Sequence, residues 1–195
     1  MRTTVFRTTM PEPPRASTSP PGDTASAPHA TPLSQAAAWR FVFGEHLHLG
    51  LFDRPGLDLA AAGERMCAAL GETAPLAGLA GLGPDDVVLD MGCGAGGPAL
   101  WLWQRFGCRV LGLTNSLAGA TAGLAWARDR GALGSVAFVL ADAGALCLAP
   151  ESCTAAWFLE SSHAMPDKAR LFANAARVLR PGGRLFLADM VIAPG

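Results

Sequence analysis

The chain has 195 residues, of which 50% are hydrophobic and 16% charged, and its formal net charge at pH 7 is −1. A chain of this length and composition can form one domain with a substantial hydrophobic core. A net charge near zero offers no electrostatic attraction for nucleic acid, so we expect no nucleic-acid partner.

Cysteine usage and apolar runs indicate the cellular compartment. The five cysteines include no C-x-x-C pair, which argues against a disulfide framework or a zinc site and favours free thiols in a reducing cytoplasm. No apolar run approaches the roughly 18 residues that a membrane span needs. No apolar stretch typical of a secretory signal follows the first arginine. We therefore expect a cytoplasmic protein with no membrane partner.

The sequence divides into three segments. Residues 1–33 are rich in Pro, Ser, Thr and Ala, and we predict a disordered tail because they can bury too little apolar surface. Residues 34–80 are predicted to form a helical segment ahead of the core, with a short helix from Gln35, a loop, and a second helix capped by Asp58. Residues 81–195 are predicted to form the core.

The core segment alternates strands with helices. Helices are expected over residues 98–106 and 116–130 and after a cap at Asp167. Five buried strands are expected, because their apolar runs show no alternation: Val87–Met91, Arg109–Leu113, Val136–Leu140, Thr154–Leu159 and Arg184–Met190. The pattern predicts an α/β fold, a Rossmann-like, doubly wound, mainly parallel sheet that binds ligands at the carboxyl ends of its strands. We expect the sheet to be truncated after the fifth strand, which would then be an apolar edge.

The stretch LDMGCGAGGP, at residues 89–98, contains the pattern G-x-G-x-x-G of a dinucleotide-binding turn. In a nicotinamide-binding fold, an acid or an arginine at the tip of the second strand binds the ribose, but residues 114–116 are Thr-Asn-Ser. Pro98 also opens the next helix where free N–H groups would otherwise face a pyrophosphate. An NAD(P)-dependent oxidoreductase is therefore the weakest of our hypotheses.

S-adenosylmethionine suits this turn better, because it carries an ammonium and a sulfonium and no phosphate. Asp90, two residues before the first glycine, would attract these cations. Gly92 and Gly94 let the backbone approach the methionine portion without a Cβ clash. Asp142, just after the third strand, could accept a hydrogen bond from the adenine amino group or could cap a helix.

The runs VVLDMGCGAGGPALWL, GCRVLGLTNS, ADA, WFLESSHAMPDK and ARVLRPGGRLFLADM resemble class I S-adenosylmethionine-dependent methyltransferases of the small-molecule branch, which includes sterol, tocopherol, sarcosine and natural-product enzymes. The likeness covers residues 87–190 and extends to FGEHLHLGLF, which is similar to the loop that lines the active site in that family. Two departures are that Gly119 stands where relatives often carry a glutamine, and that the chain has no tyrosine.

The resemblance implies transfer of a methyl group from S-adenosylmethionine to a nitrogen, oxygen or carbon of a small molecule, such as a natural product or a terpenoid. It implies that the methionine portion is held by Asp90, Gly92, Cys93 and Gly94, the ribose by Thr114, Asn115 and Ser116, and the adenine by Asp142 and Ala143. An inactive relative that keeps only the cofactor pocket is the main alternative.

Three further residues are candidates for chemistry. Glu160 is expected near the sulfonium or the acceptor, with capping or an ion pair as the alternative. His163 could act as a general base or could bond a loop carbonyl. His46 and His48 form an H-x-H pair, but two ligands without a third do not make a metal site. We therefore expect no metal, and the resemblance implies that His48 lines the acceptor pocket.

Overall fold

The computed structural model describes residues 3–6, 44–72 and 81–190. The helix predicted from Gln35 lies outside the described residues. The strands are β1 (Thr3–Phe6), β2 (Val87–Met91), β3 (Arg109–Thr114), β4 (Val136–Leu140), β5 (Cys153–Leu159) and β6 (Leu179–Ala188). The helices are α1 (Leu59–Glu72), α2 (Gly97–Phe106), α3 (Leu117–Asp129) and α4 (Lys168–Val178).

The six strands form one sheet in the order β1-β6-β5-β2-β3-β4, and every neighbouring pair is parallel. One hydrophobic cluster packs α1, α2 and α3 against one face, and a second cluster packs α4 against the other. All seven residues of β5 are buried, as expected of a strand that is covered on both faces. The structure confirms the predicted α/β, doubly wound, parallel sheet.

The boundaries of β2 and β4 agree with the prediction, whereas β6 differs from it. We expected this strand over Arg184–Met190, but it begins at Leu179, because Leu179 already pairs with Cys153 of β5. It ends at Ala188. Asp189 and Met190, which follow directly, therefore lie at the carboxyl edge of the sheet, where ligands bind in this type of fold.

Strand β1 lies in the segment for which we predicted disorder, and that prediction is wrong for these four residues. Thr3 pairs with Leu185 and Phe6 with Ala188, so β1 extends the sheet beyond β6. The sequence TTVF is rich in β-branched and aromatic residues, which favour extended backbone once a partner strand is present. Over this range β6 is not the exposed apolar edge that we expected.

Local side chains determine where the helices begin and end. Asp58 Oδ1 accepts a hydrogen bond from Ala61 N at 2.8 Å, which confirms the predicted cap of α1. Asp167 caps α4 in the same way, by accepting from Arg170 N at 2.9 Å. Gly131, with φ of 69°, follows α3 in the left-handed conformation expected of it. Within the described residues, no helix combines the length and apolar character that crossing a membrane requires.

The turn after β2 packs against two other segments, and its glycines provide the space. A Cβ on Gly92 would lie 2.5 Å from the Cβ of Ser161, and a Cβ on Gly97 would lie 2.0 Å from the carbonyl oxygen of Glu45. Neither separation is possible between non-bonded atoms in a close-packed interior. Glycine is therefore required at these two positions for packing.

The ring of Phe138, on β4, fills a concave surface that is made by three more glycines. Cβ atoms added to Gly96, Gly112 and Gly123 would lie 2.3, 2.9 and 2.7 Å from carbon atoms of this ring. These glycines come from the turn, from β3 and from α3. One aromatic ring thus fixes the distances between the glycine turn and its neighbours.

The loop over residues 44–51 is held against the face of the sheet that α1, α2 and α3 cover. Leu51 N donates to Ala62 O of α1 at 2.8 Å. The carboxylate of Glu45 forms an ion pair of 2.5 Å with Arg130, next to the end of α3. These contacts bring the loop beside the glycine turn at the carboxyl edge of the sheet.

We predict that Gly97→Ala lowers the free energy of unfolding by about 1–3 kcal/mol, because the new methyl group overlaps the Glu45 carbonyl. Gly134→Ala is the matched control, since a Cβ there has no heavy atom within 4 Å. Urea or thermal unfolding of the two variants measures the difference. Equal stability of the two variants would contradict the packing argument.

Candidate active site

A cleft of about 450 Å³ opens at the carboxyl ends of the strands. This is the edge at which ligands bind in doubly wound sheets. Its walls come from the turn after β2, from the tips of β3 and β4, and from the segment between β5 and α4. The lining residues include seven of the nine predicted to bind a cofactor: Gly92, Gly94, Thr114, Asn115, Ser116, Asp142 and Ala143.

Two polar side chains along the cleft also stabilise the local backbone. Ser116 Oγ accepts a hydrogen bond from Gly119 N at 3.1 Å and caps α3. Asp142 Oδ1 accepts from Gly144 N at 2.7 Å. The capping role that the sequence left open for Asp142 is therefore present, and the same residue lines the cleft.

Gly119 is also a packing residue. A Cβ at this position would lie 2.4 Å from the carbonyl oxygen of Gly94. The first turn of α3 thus approaches the glycine turn so closely that a side chain has no space. The structure thereby explains why glycine stands where similar sequences often carry a glutamine.

The other two predicted cofactor residues, Asp90 and Cys93, are buried and are not among the residues that line the cleft. Asp90 Oδ2 has no hydrogen-bond partner among the described residues, and burial raises the pKa of this carboxyl to about 7. A buried polar atom without a partner costs free energy. Cys93 Sγ packs against the backbone of β3, 2.9 Å from where Gly112 would carry a Cβ.

Glu160 lines the cleft and holds the loop over residues 44–51. Its Oε2 accepts a hydrogen bond from Leu49 N at 2.7 Å. Burial raises the pKa of Glu160, and backbone hydrogen bonds from Leu49 and Gly50 partly oppose that rise. Glu160 itself has a φ of 46°, a left-handed conformation that is uncommon outside glycine. This strained backbone turns the chain away from β5 and into the cleft wall.

His163 forms a pair with Asp189. The two groups join through His163 Nδ1 and Asp189 Oδ1 at 2.6 Å, while Asp189 Oδ2 accepts from Ser162 Oγ and from His163 N. Burial raises the pKa of Asp189, but these hydrogen bonds outweigh it and leave the pKa below its ordinary value. His163 is part of the short segment that carries the lining residues Ser161 and Ala164.

Lys168 organises the same segment. Its ammonium donates hydrogen bonds to the backbone carbonyls of Ser162, His163 and Met165. A lysine suits this position, because its three donors point in different directions whereas a guanidinium is planar. The backbone that carries His163 is thereby tied to the first residue of α4.

His48 does not lie along the cleft. Its ring is buried beside His46 and Cys67, and it is not among the residues that line the cleft. The contact of His48 with an acceptor stays a prediction. The Sγ atom of Cys67 lies 3.7 Å from His46 Nδ1 and 3.9 Å from His48 Nε2. Burial and, to a smaller extent, electrostatic repulsion from His46 lower the pKa of His48 to about 3.

Sequence reasoning missed several residues of the site. Ser161 supports the turn by donating from Oγ to Met91 O at 2.6 Å, and Met165 and Arg170 line the cleft. All three lie close to His163 in the sequence. Because this segment directly follows β5, its position at the carboxyl edge of the sheet could have identified them. Asp189 was missed because the fifth strand was predicted to continue to Met190, whereas β6 ends at Ala188 and leaves Asp189 just beyond it.

Comparison with known proteins agrees with this geometry. A family model described as a methyltransferase domain matches residues 89–187. Methyltransferase GfsG of Streptomyces halstedii is 40% identical over 155 residues, which cover 78% of this chain and 54% of the relative. The 27-O-demethylrifamycin SV methyltransferase of Amycolatopsis mediterranei is 38% identical over 158 residues, with the same two coverages. The chain spans about half the length of these curated relatives.

Solved structures extend the comparison. The [4+2]-cyclase SpnF superposes with a TM-score of 0.69 at 28% identity, covering 78% of this chain and 55% of that one. Geranyl diphosphate C-methyltransferase from Streptomyces coelicolor, solved with S-adenosyl-L-homocysteine, gives a TM-score of 0.60 at 30% identity, covering 80% and 64%. With the family model spanning the glycine turn and every cleft-lining strand, the chain belongs to the class I S-adenosylmethionine-dependent methyltransferases.

Proposed function

We propose that this chain binds S-adenosylmethionine in the cleft and takes part in transferring its methyl group to a hydroxyl of a small natural-product-like molecule. The observation that carries the choice of a hydroxyl is the His163–Asp189 pair. Neither residue is among those that line the cleft, but His163 lies between the lining residues Ser161 and Ala164 in the sequence. A hydroxyl acceptor has to lose a proton, and a histidine oriented by a carboxylate is the usual group that removes it.

The residues present fit a cationic cofactor. Asp90 Oδ2 is buried and without a partner among the described residues, and an ammonium group would supply both the missing donor and the missing counter-charge. The space in front of Gly94 is open: within the described residues, only Leu47 side-chain atoms lie within 4 Å of a Cβ built there. We therefore assign the methionine portion to Asp90, Gly92 and Gly94.

The remainder of the cleft suits the adenosine portion. Thr114, Asn115 and Ser116 form the tip of β3, where we place the ribose, and Asp142 and Ala143 form the tip after β4, where we place the adenine. The cofactor supplies a methyl group on a positively charged sulfur, and the acceptor displaces it. The protein then contributes mainly by positioning the acceptor and removing its proton.

A dinucleotide fits the cleft poorly. The amino end of α2, which would hold a pyrophosphate, is covered by the Glu45 carbonyl, so close that Gly97 has no space for a Cβ. The tip of β3 contains no charged side chain. These two observations argue against a nicotinamide cofactor.

For Glu160 we propose a positioning role within the same site. Its carboxylate is engaged by the backbone of Leu49, so it holds the loop over residues 44–51 as part of the cleft wall. The loop also carries Leu47, a side chain that is 44% exposed and lies next to Gly94. An apolar side chain at this place favours an acceptor with apolar surface around its hydroxyl.

The names of the relatives support oxygen as the acceptor atom. The Amycolatopsis relative is a 27-O-demethylrifamycin SV methyltransferase, and a tocopherol O-methyltransferase of Arabidopsis thaliana is 29% identical over 155 residues. A sarcosine/dimethylglycine N-methyltransferase is 30% identical over 146 residues, so nitrogen acceptors belong in the test. The test is methyl transfer to phenolic, terpenoid and amine acceptors; failure with the whole panel would favour a binding-only relative.

We predict that Asp90→Asn weakens binding of S-adenosylhomocysteine by about 10- to 100-fold, which corresponds to losing one charge-assisted hydrogen bond. Calorimetric titration with S-adenosylhomocysteine, and with NADH as the competing hypothesis, measures it. Asp85→Asn is the control, because Asp85 is exposed at the opposite end of β2 and the substitution removes the same charge. Unchanged affinity in Asp90→Asn, or tight binding of NADH, would contradict the assignment.

Asp90→Asn should also change how the free energy of unfolding depends on pH. The pKa of Asp90 is raised by burial from 3.8 to about 7, so the folded chain holds this proton more tightly than the unfolded chain. The free energy of unfolding therefore falls as pH rises from about 4 to 7. We expect Asp90→Asn to remove this fall and to be more stable than the ligand-free parent at pH 8. Thermal unfolding at pH 5 and pH 8 checks the sign.

We predict that His163→Ala lowers kcat for a hydroxyl acceptor by about 10²- to 10⁴-fold and leaves the affinity for S-adenosylhomocysteine unchanged. Free imidazole should partly restore the rate, since the His163 side chain is 38% exposed and its place is accessible. Asp189→Asn should also lower kcat, and the double variant should lose little more, because the pair acts as a unit. A loss confined to cofactor affinity would show that the pair is only structural.

A further inference from the structure

We propose that His46, His48 and Cys67 form a binding site for one zinc ion between the loop over residues 44–51 and helix α1. Their ligand atoms, one from each residue, all lie within 4.8 Å of one another. The site is separate from the cleft and does not depend on the proposed methyl transfer.

The distances between the sulfur and the two imidazole nitrogens suit a tetrahedrally coordinated ion. With Zn–S near 2.3 Å and Zn–N near 2.0–2.1 Å, a tetrahedral angle places sulfur and nitrogen about 3.6 Å apart. Cys67 Sγ lies 3.7 Å from His46 Nδ1 and 3.9 Å from His48 Nε2. These two sulfur–nitrogen separations exceed the tetrahedral value by about 0.1 and 0.3 Å, and the two nitrogen atoms lie within 4.8 Å of each other.

The backbone brings the three side chains together from two elements. The H-x-H spacing, combined with the fold of the loop, places both rings against α1, edge to face, with their centroids 5.4 Å apart. On α1, Gly63 allows the approach, because a Cβ there would lie 2.7 Å from His46 Cβ. Cys67 follows one turn later and is completely buried.

The three side chains supply the atom types that coordinate zinc in proteins. Imidazole nitrogen and thiolate sulfur are both ligand types that zinc binds, and three protein ligands leave the fourth position of a tetrahedral ion to water. On binding, the ion would take the place of the thiol proton of Cys67, which passes to solvent.

A zinc ion here would have a structural consequence. It would attach the loop to α1 next to the point where Leu49 N reaches Glu160, and would therefore hold one wall of the cleft. The competing explanation is that the three residues form a metal-free packing cluster with weak thiol hydrogen bonds.

The experiment uses the full chain, freed of metal by a chelator and titrated with Co²⁺ as a spectroscopic substitute for Zn²⁺. We expect one equivalent of Co²⁺ to give the intense visible bands of a tetrahedral site and a thiolate-to-cobalt charge-transfer band, and Zn²⁺ to displace both. Cys67→Ser should lose the charge-transfer band and bind Zn²⁺ at least about 100-fold more weakly. Cys108→Ser is the matched control, because Cys108 is equally buried and its Sγ approaches only a backbone carbonyl.

Two further measurements keep the test decisive if Cys67→Ser does not fold. His48→Gln, a milder change, should also weaken Zn²⁺ binding, and added Zn²⁺ should raise the melting temperature of the parent chain but not of this variant. S-adenosylhomocysteine affinity, measured on the metal-free chain, tests the proposed function separately. Absence of stoichiometric Co²⁺ binding by the parent, or equal binding by Cys67→Ser, would overturn the metal site.

Discussion

The glycine turn after β2 is the constraint on which the rest of the site depends. Other parts of the chain approach it so closely that a single methyl group at Gly92 or Gly97 would overlap Ser161 or Glu45. The same contacts that require glycine also fix the loop and the segment after β5 relative to the turn. Close packing of this kind tolerates little displacement. The cleft is therefore shaped by packing between distant segments as well as by the Rossmann-like turn itself.

The extent to which the sequence predicted the structure depends on the range of the interaction. Strands β2 and β4 matched because a buried apolar run bounded by turn residues is a local signal. The resemblance to methyltransferases implied the residues at the tips of β3 and β4, and these residues line one cleft because parallel strands end at one edge of the sheet. The proximity of His48 and Cys67, 19 residues apart, depends on how the loop folds over α1, and no local pattern encodes it. Strand β1 was missed because a four-residue strand exists only through its distant partner.

The fold by itself does not determine the reaction. One protein whose structure superposes well is a [4+2]-cyclase, and another is a C-methyltransferase. What differs between such proteins is the chemistry placed around a shared cofactor cleft. In this chain the distinguishing group is His163 with Asp189, held by Ser162 on one side. These side chains, and not the fold, are therefore the reason that we propose a hydroxyl acceptor.

Lys168 is the chain's one lysine, since every other basic residue is an arginine. Because its ammonium bonds three carbonyls in the segment that carries His163, the only side-chain amine in the protein is located beside its proposed base. Acylation of that nitrogen would remove the charge and leave it with a single hydrogen to donate. Chemistry directed at side-chain amines would thus reach this one segment and leave the remaining side chains untouched.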